Sequence, residues 1–171
     1  MVNRWPMLLA VAGALLFGAW WLLGGDGELK KIERQSDRLA AAMHKTPGKG
    51  LLGLATRASE IAGFFSRQAR ITPGEPLPAI NSREELMGLA AHTLQAVSTL
   101  EVKILDRELN WVRPNEQAAM RLAVEIVAQA QGERQKLLYT YDVTWVREEE
   151  RWVIASAQVC ESIRRPGTSG Q

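Results

Sequence analysis

Cysteine is almost absent from this chain: 171 residues contain one, Cys160, so no disulfide can form within it. Set in a strand-like run, that cysteine reads as a small buried apolar residue. Histidine is nearly as scarce, with His44 and His92 alone and no Cys/His pairing, so neither a metal site nor a bound cofactor is expected. An excess of one charge is also missing. The chain has 21 basic and 19 acidic residues, a formal charge of +2, and they interleave as in Lys30-Lys31-Ile32-Glu33-Arg34. Such mixing marks a solvated helix face and argues against a nucleic-acid partner. Long uncharged apolar runs are missing as well, with one exception at the N-terminus.

That exception is PMLLAVAGALLFGAWWLLGG, residues 6–25, without an ionisable group. As a helix it would span about 30 Å, the thickness of a bilayer's hydrocarbon core. Trp5 at one end and Trp20 and Trp21 at the other suit the two membrane interfaces. A cleaved secretory signal has a shorter apolar core and a small-x-small cleavage site, whereas bulky Trp and Leu fill the C-terminal end here. The stretch reads as a retained single-pass anchor in the inner (plasma) membrane, in contact with the lipid bilayer through residues 6–25. The bases that follow, Lys30, Lys31, Arg34 and Arg38, would by themselves place the C-terminal side in the cytoplasm. They are interleaved with acids, and the short tail carrying Arg4 is what a signal-anchor keeps inside, so an extracytoplasmic domain is the expectation. Ala10, Ala14 and Gly18 form a small-xxx-small ridge of a kind that chance often supplies in such segments.

The expected organisation is a tail and anchor over 1–25, a hinge over 26–28, one folded domain over 29–163 and a disordered tail over 164–171. ELKKIERQSDRLAAAMHK predicts an amphipathic helix with Leu29, Ile32, Leu39 and Met43 on one side, and His44 and Lys45 opposing the dipole at its last turn. LLGLATRASEIAGFFS predicts a second helix, with Leu54, Ala58, Ile61 and Phe65 on its stripe and a short extended piece at Arg70-Ile71-Thr72 beyond it. Ser82 with Glu85 three residues on is a capping box opening a third helix, striped by Leu86, Leu89, Leu94 and Val97.

From Leu100 the apolar period changes to two. LEVKILDRELNWV alternates through Val102 and Ile104, slips one place at Leu105 and resumes at Leu109 and Trp111, the sequence form of a β-bulge. Met120, Leu122, Val124 and Ile126 mark a second long strand. Leu137, Tyr139, Tyr141, Val143 and Trp145 mark a third, and Trp152 opens a fourth. Short turns join them, so the sheet is an antiparallel meander of four long strands under three helices, an α+β domain. Strict alternation in the last strand sets Trp152 and Ile154 on one face and Val153, Ala155, Ala157 and Val159 on the other. Two apolar faces suggest a second copy against the outer side, hence a homodimer, with other envelope proteins as further partners.

Three segments carry a resemblance: the helix-to-strand passage EIAGFFSRQARI, the helix NSREELMGLAAHTLQ before the long strand LEVKILDRELNWV, and the closing hairpin LLYTYDVTWVREEERWVIASAQVCES. Over about Leu29 to Ile163 their order resembles the nuclear transport factor 2-like superfamily of SnoaL-like cyclases, ketosteroid isomerases and scytalone dehydratases. The turn Glu148-Glu149-Glu150 departs from the Asp-Gly type common in relatives. The resemblance implies a curved, bulged sheet wrapped on helices as a cone, whose cavity serves catalysis, binding of small apolar molecules, or neither; several membrane-tethered members are non-catalytic parts of envelope assemblies. Its enzymes use an acid/base pair inside the cone, for which the residues available are His92, Asp106, Asp142, Tyr139 and Tyr141. His92 falls off the apolar stripe of its helix, Asp142 alternates away from the aromatic face, and Asp106 sits among charged neighbours, so each reads as solvent-facing. Catalytic residues are therefore not assigned, and an enzyme is the less favoured reading. Gly48-x-Gly50-x-x-Gly53 follows a helix instead of a strand, which argues against a dinucleotide site.

The aromatic set reads first as core. Phe64, Trp111, Tyr139, Tyr141 and Trp145 are the residues that would line a pocket if the cone is open. The leading expectation is a membrane-anchored, self-associating, non-catalytic binding or scaffolding domain at the envelope surface. The alternative is a tethered enzyme or carrier acting on a small hydrophobic molecule.

Overall fold

The computed structural model describes residues 27–46, 51–73 and 78–164. The apolar run 6–25, its tryptophans Trp5, Trp20 and Trp21, the glycines Gly48 and Gly50, and residues 165–171 lie outside the described residues. Among the described residues no helix is long and apolar enough to cross a membrane.

Helix α1 covers residues 27–43, so residues 27 and 28, expected in the hinge, belong to the helix. Glu28 is tied to the body: its carboxylate accepts from Trp152 Nε1 (2.8 Å) and from Lys31 Nζ, and Arg147 Nη1 lies 4.0 Å away. The Lys31 and Trp152 hydrogen bonds hold the Glu28 carboxyl below its ordinary pKa. Ile32, with no exposed surface, drives the apolar side of α1 into the core. Lys45 does not end this helix. It leaves as an extended residue bridged to Leu100 (N–H to Leu100 O, 2.7 Å), and its buried ammonium donates to the carbonyls of Leu94 and Val97. The cation expected to oppose the dipole of its own helix therefore caps the helix before Leu100.

Helix α2 (Leu51–Ala62) buries Leu54, Ala58 and Ile61 as the stripe predicts. It stops before Phe65, which starts strand β1 (Phe65–Thr72). Helix α3 (Arg83–Ala96) opens on the expected cap: Ser82 Oγ accepts from Glu85 N (3.2 Å), and Glu85 Oε2 accepts from Asn81 N (2.9 Å). Four long strands follow, β2 (Thr99–Arg113), β3 (Gln117–Ala130), β4 (Glu133–Glu148) and β5 (Arg151–Arg164).

The sheet has five strands in the order β1-β5-β4-β3-β2, one more than the meander expected. The added strand is β1, which lies parallel to β5; the other pairs are antiparallel. The bulge at Leu105 is where the alternation slips: Ile104 pairs with Val124 and Asp106 with Ala123, and Leu105 is left out and 56% exposed.

A bulge that alternation did not predict sits in β5. Trp145 pairs with Ile154 and Thr144 with Ser156, leaving Ala155 as the extra residue. From there Ala157 and Val159 join Trp152 and Ile154 on the inner face, opposite Val143 and Tyr141. Ala157 and Val159 are thus corrected to the inner face, while Val153, paired with Val146, stays on the outer one and is buried. The outer face also carries Val127 and ion pairs, Arg121 with Asp142 (2.9 Å) and Lys136 with Glu125 (2.6 Å). Cys160 is a further correction. It falls between Val159 and Glu161, which pair with Tyr141 and Thr140, and it is exposed, not buried. The Asp142 carboxylate beside it pushes its thiol pKa up.

The β4–β5 turn places two non-glycine residues in the left-handed region, Glu149 (φ 47°) and Glu150 (φ 64°). A two-residue hairpin needs positive φ at both centres to match the strand twist, which is why Asn-Gly is favoured there. Replacing Glu149-Glu150 by Asn-Gly is expected to stabilise the protein by about 1–2 kcal/mol, since a side chain in this region costs about that much per residue. A raised urea midpoint at constant slope is the signature; an unmoved midpoint would mean that the turn holds no strain.

Candidate functional site

The inner faces of the strands and the apolar sides of α1 and α3 do not meet everywhere. Between them lies a cavity of about 260 Å³. Helix α1 contributes Ser36, Leu39, Ala40 and Met43 to its wall, and α3 contributes Leu86 and Leu89. From the sheet come Val102 and Ile104 on β2, Met120 to Ile126 at every second position on β3, Tyr141, Val143 and Trp145 on β4, and Ile154 and Ala157 on β5. Phe65, Ile71, Pro73 and Ile80 complete the wall. The bulges make this possible by bending the strands around the helices.

Among the described residues almost nothing polar faces the space. Ser36 is spent: its Oγ donates to Glu33 O (2.7 Å) and accepts from Arg107 Nη1 (3.1 Å). Arg107 is spent too, its Nη1 also reaching Glu33 O (3.1 Å) and its Nη2 pairing with Asp37 Oδ1 (2.6 Å). Trp145, 1% exposed, has an indole N–H without a hydrogen-bond partner among the described residues. Among the described residues Tyr141 is the one ionisable residue in the wall. Burial, with a smaller contribution from Tyr139, pushes its pKa up to about 12, so at neutral pH it is a phenol and a hydrogen-bond donor.

Of the five residues singled out for a pocket, Tyr141 and Trp145 line the cavity. Tyr139 lies beside Tyr141 with ring centroids 5.8 Å apart, and Trp111 packs on Trp152 at 5.7 Å; neither contributes to the wall. Phe64 is displaced by its neighbour Phe65, because β1 begins there and turns Phe65 inward. The aliphatic residues that make most of the wall were visible as the alternating faces of β2 and β3, but alternation alone does not separate a filled interior from a hollow one.

Of the acid/base residues weighed from the sequence, Tyr139 and Tyr141 are neighbours, and His92, Asp106 and Asp142 are not brought to the wall that Tyr141 joins. His92 is exposed on α3. Asp142 is on the outer face with Arg121, whose guanidinium lowers its pKa, and Asp106 is exposed and accepts from Arg107 N (2.9 Å). Among the described residues no group of three or more His, Cys, Asp or Glu could hold a metal ion.

No family model and no curated protein matches this chain. Solved structures do resemble it. A candidate scytalone dehydratase from Novosphingobium aromaticivorans superposes with a TM-score of 0.64 at 12% identity, over 81% of this chain and 88% of that one. A nuclear transport factor 2-like protein with a cystatin-like fold from the same organism gives 0.61 at 11%, over 90% of each chain. A candidate calcium/calmodulin-dependent protein kinase II association domain from Xanthomonas campestris gives 0.60 at 14%, over 80% and 86%. At these identities the likeness establishes the fold: a nuclear transport factor 2-like α+β cone. Proteins named for quite different roles share it, so the fold does not choose among them.

Proposed function

We propose that this protein binds and carries a small hydrophobic molecule in the cone, while residues 6–25 hold it at the outer surface of the inner membrane. The observation that carries the reading is the 260 Å³ hollow with an aliphatic and aromatic wall. A void of this kind is maintained at a cost in packing, and an apolar guest recovers that loss. The scaffolding role needs no such space, whereas the carrier alternative does. General acid–base chemistry needs two groups converging on one reacting atom, and the wall offers Tyr141; binding asks for less.

The full chain, purified from its own membranes and extracted with solvent, is expected to yield one neutral apolar compound per protein by mass spectrometry. Val143→Trp, which fills the hollow, should abolish its retention. A chain that neither carries such a compound nor takes one up from a membrane lipid extract would overturn the proposal. The tether is supported by the uncharged run and its flanking tryptophans. A C-terminal alkaline phosphatase fusion is expected to be active, as that enzyme is only outside the cytoplasm; an inactive fusion would reverse the topology.

A further inference from the structure

Along the sequence the bases of α1 alternate with acids; in space they do not. At about 100° per residue, Lys30, Arg34 and Arg38 fall within about 80° of one another around the helix axis, in a stripe about 12 Å long. All three are exposed. Their side of the helix is opposite Ile32 and Ser36, which are buried in the body. Ala41, also exposed, sits among them and is too small to hold that face off a flat surface.

The acids of α1 are engaged elsewhere. Glu28 accepts from Trp152 and Lys31. Asp37 pairs with Arg107 of β2 (2.6 Å). Glu33 is half-buried on the same flank as Asp37, and its carbonyl accepts from Arg107. Lys31 is thus matched by Glu28, whereas among the described residues Lys30, Arg34 and Arg38 form no ion pair.

Exposed cations on a helix ordinarily need no partner but water. The place of these three in the chain sets them apart. Lys30 stands five residues beyond the uncharged run 6–25, so the chain allows it to lie no more than about 18 Å from Gly25. The glycines Gly24 and Gly25 let the chain turn at that point. Bases tethered so near an anionic bilayer are drawn to its surface, each one contributing about fivefold to the association. The outer face of the sheet, on the other side of the molecule, pairs Arg121 with Asp142 and Lys136 with Glu125.

We infer that the Lys30, Arg34 and Arg38 face of α1 lies on the phosphates of anionic phospholipids, so that the cone rests on its side with the sheet turned from the bilayer. This rests on the tether reading and deepens it. Helix α1 also supplies Leu39, Ala40 and Met43 to the cavity wall. Seated in this way, the hollow lies one helix thickness, about 10 Å, from the headgroups, held alongside the lipid instead of being raised above it.

The test reconstitutes the full chain into vesicles of phosphatidylcholine, alone or mixed with phosphatidylglycerol, with some lipid carrying a nitroxide quencher on its headgroup. A bimane label reports from Ala41→Cys in a Cys160→Ser background, or from the native Cys160, which is exposed on the far side of the sheet. In vesicles containing phosphatidylglycerol the label at Ala41→Cys is expected to be quenched and the label at Cys160 is not. Raising the salt from about 0.1 M to about 1 M shortens the screening length from about 10 Å to about 3 Å and should release the quenching. Lys30→Gln, Arg34→Gln and Arg38→Gln should each lower the ratio of seated to free helix about fivefold; the salt response does not depend on any of these variants. Quenching at Ala41→Cys that is no stronger than at Cys160, that is equal in phosphatidylcholine alone, or that is indifferent to the three changes overturns the seating. Flotation of the same samples with the vesicles then still upholds the tether. A chain that floats with neither kind of vesicle brings down the tether reading, and the inference with it.

Discussion

Replacing Trp145 by alanine is expected to cost about 3–5 kcal/mol of stability, the range for deleting a buried aromatic side chain. Trp145 is among the largest fully buried side chains, paired across the ladders with Ala118 and Ile154. Its removal enlarges a hollow that the neighbours already fail to fill, so little of the loss can be recovered by collapse. Trp145→Phe should behave differently. Phenylalanine keeps much of the buried ring and discards an indole N–H that has no acceptor among the described residues, so the expected cost is under about 2 kcal/mol. Urea unfolding of the two variants makes the comparison. If phenylalanine proves as damaging as alanine, the indole N–H must find a partner in the protein as purified.

Lys45→Met is expected to lower stability by about 2–3 kcal/mol while keeping the aliphatic stem in place. The ammonium donates to the carbonyls of Leu94 and Val97 at the C-terminal end of α3, where the helix has acceptors without intrahelical donors. Charge-assisted hydrogen bonds of this kind exceed the neutral ones, and the cation also opposes the negative end of the helix dipole. Against them stands the desolvation of a buried ammonium, which keeps the net figure below the sum of two bonds. Hydrogen exchange separates the local effect from the global one. The last-turn amides of α3 and the Ser98–Leu100 segment should lose protection before the β3–β4 ladder does. A stability that stays level would mean that desolvation offsets both hydrogen bonds.

The elements that could be read from residues alone were those whose chemistry is local. Ser82 and Glu85 announce a helix start because the two groups satisfy each other's neighbouring backbone within one turn. The bulge at Leu105 was legible because large apolar residues stand on both sides of the slip, so the change of phase is visible. The bulge at Ala155 was not, because Ala155, Ser156 and Ala157 are small and differ little in hydropathy; the phase there is set by pairing with Thr144 and Trp145 on the adjacent strand. Phe65 was assigned to a helix because Phe64-Phe65 continues the spacing of α2, and its parallel alignment with β5 is a long-range fact that no local pattern encodes. At the site, Tyr141 and Trp145 could be placed on the right face, but a hollow depends on the distance between sheet and helices, which the order of residues does not state.

The extra residues at Leu105 and Ala155 have a consequence for how this protein can change over time. Elsewhere in a strand, losing a residue turns every later side chain over, sending cavity walls to solvent and solvent groups inward. At a bulge the surplus residue is the one outside the two-residue rhythm, so a shortened gene would keep Ala157 and Val159 facing inward and sacrifice only the bend. The volume of the hollow can therefore be retuned by deleting one codon, without rewriting the surface that surrounds it.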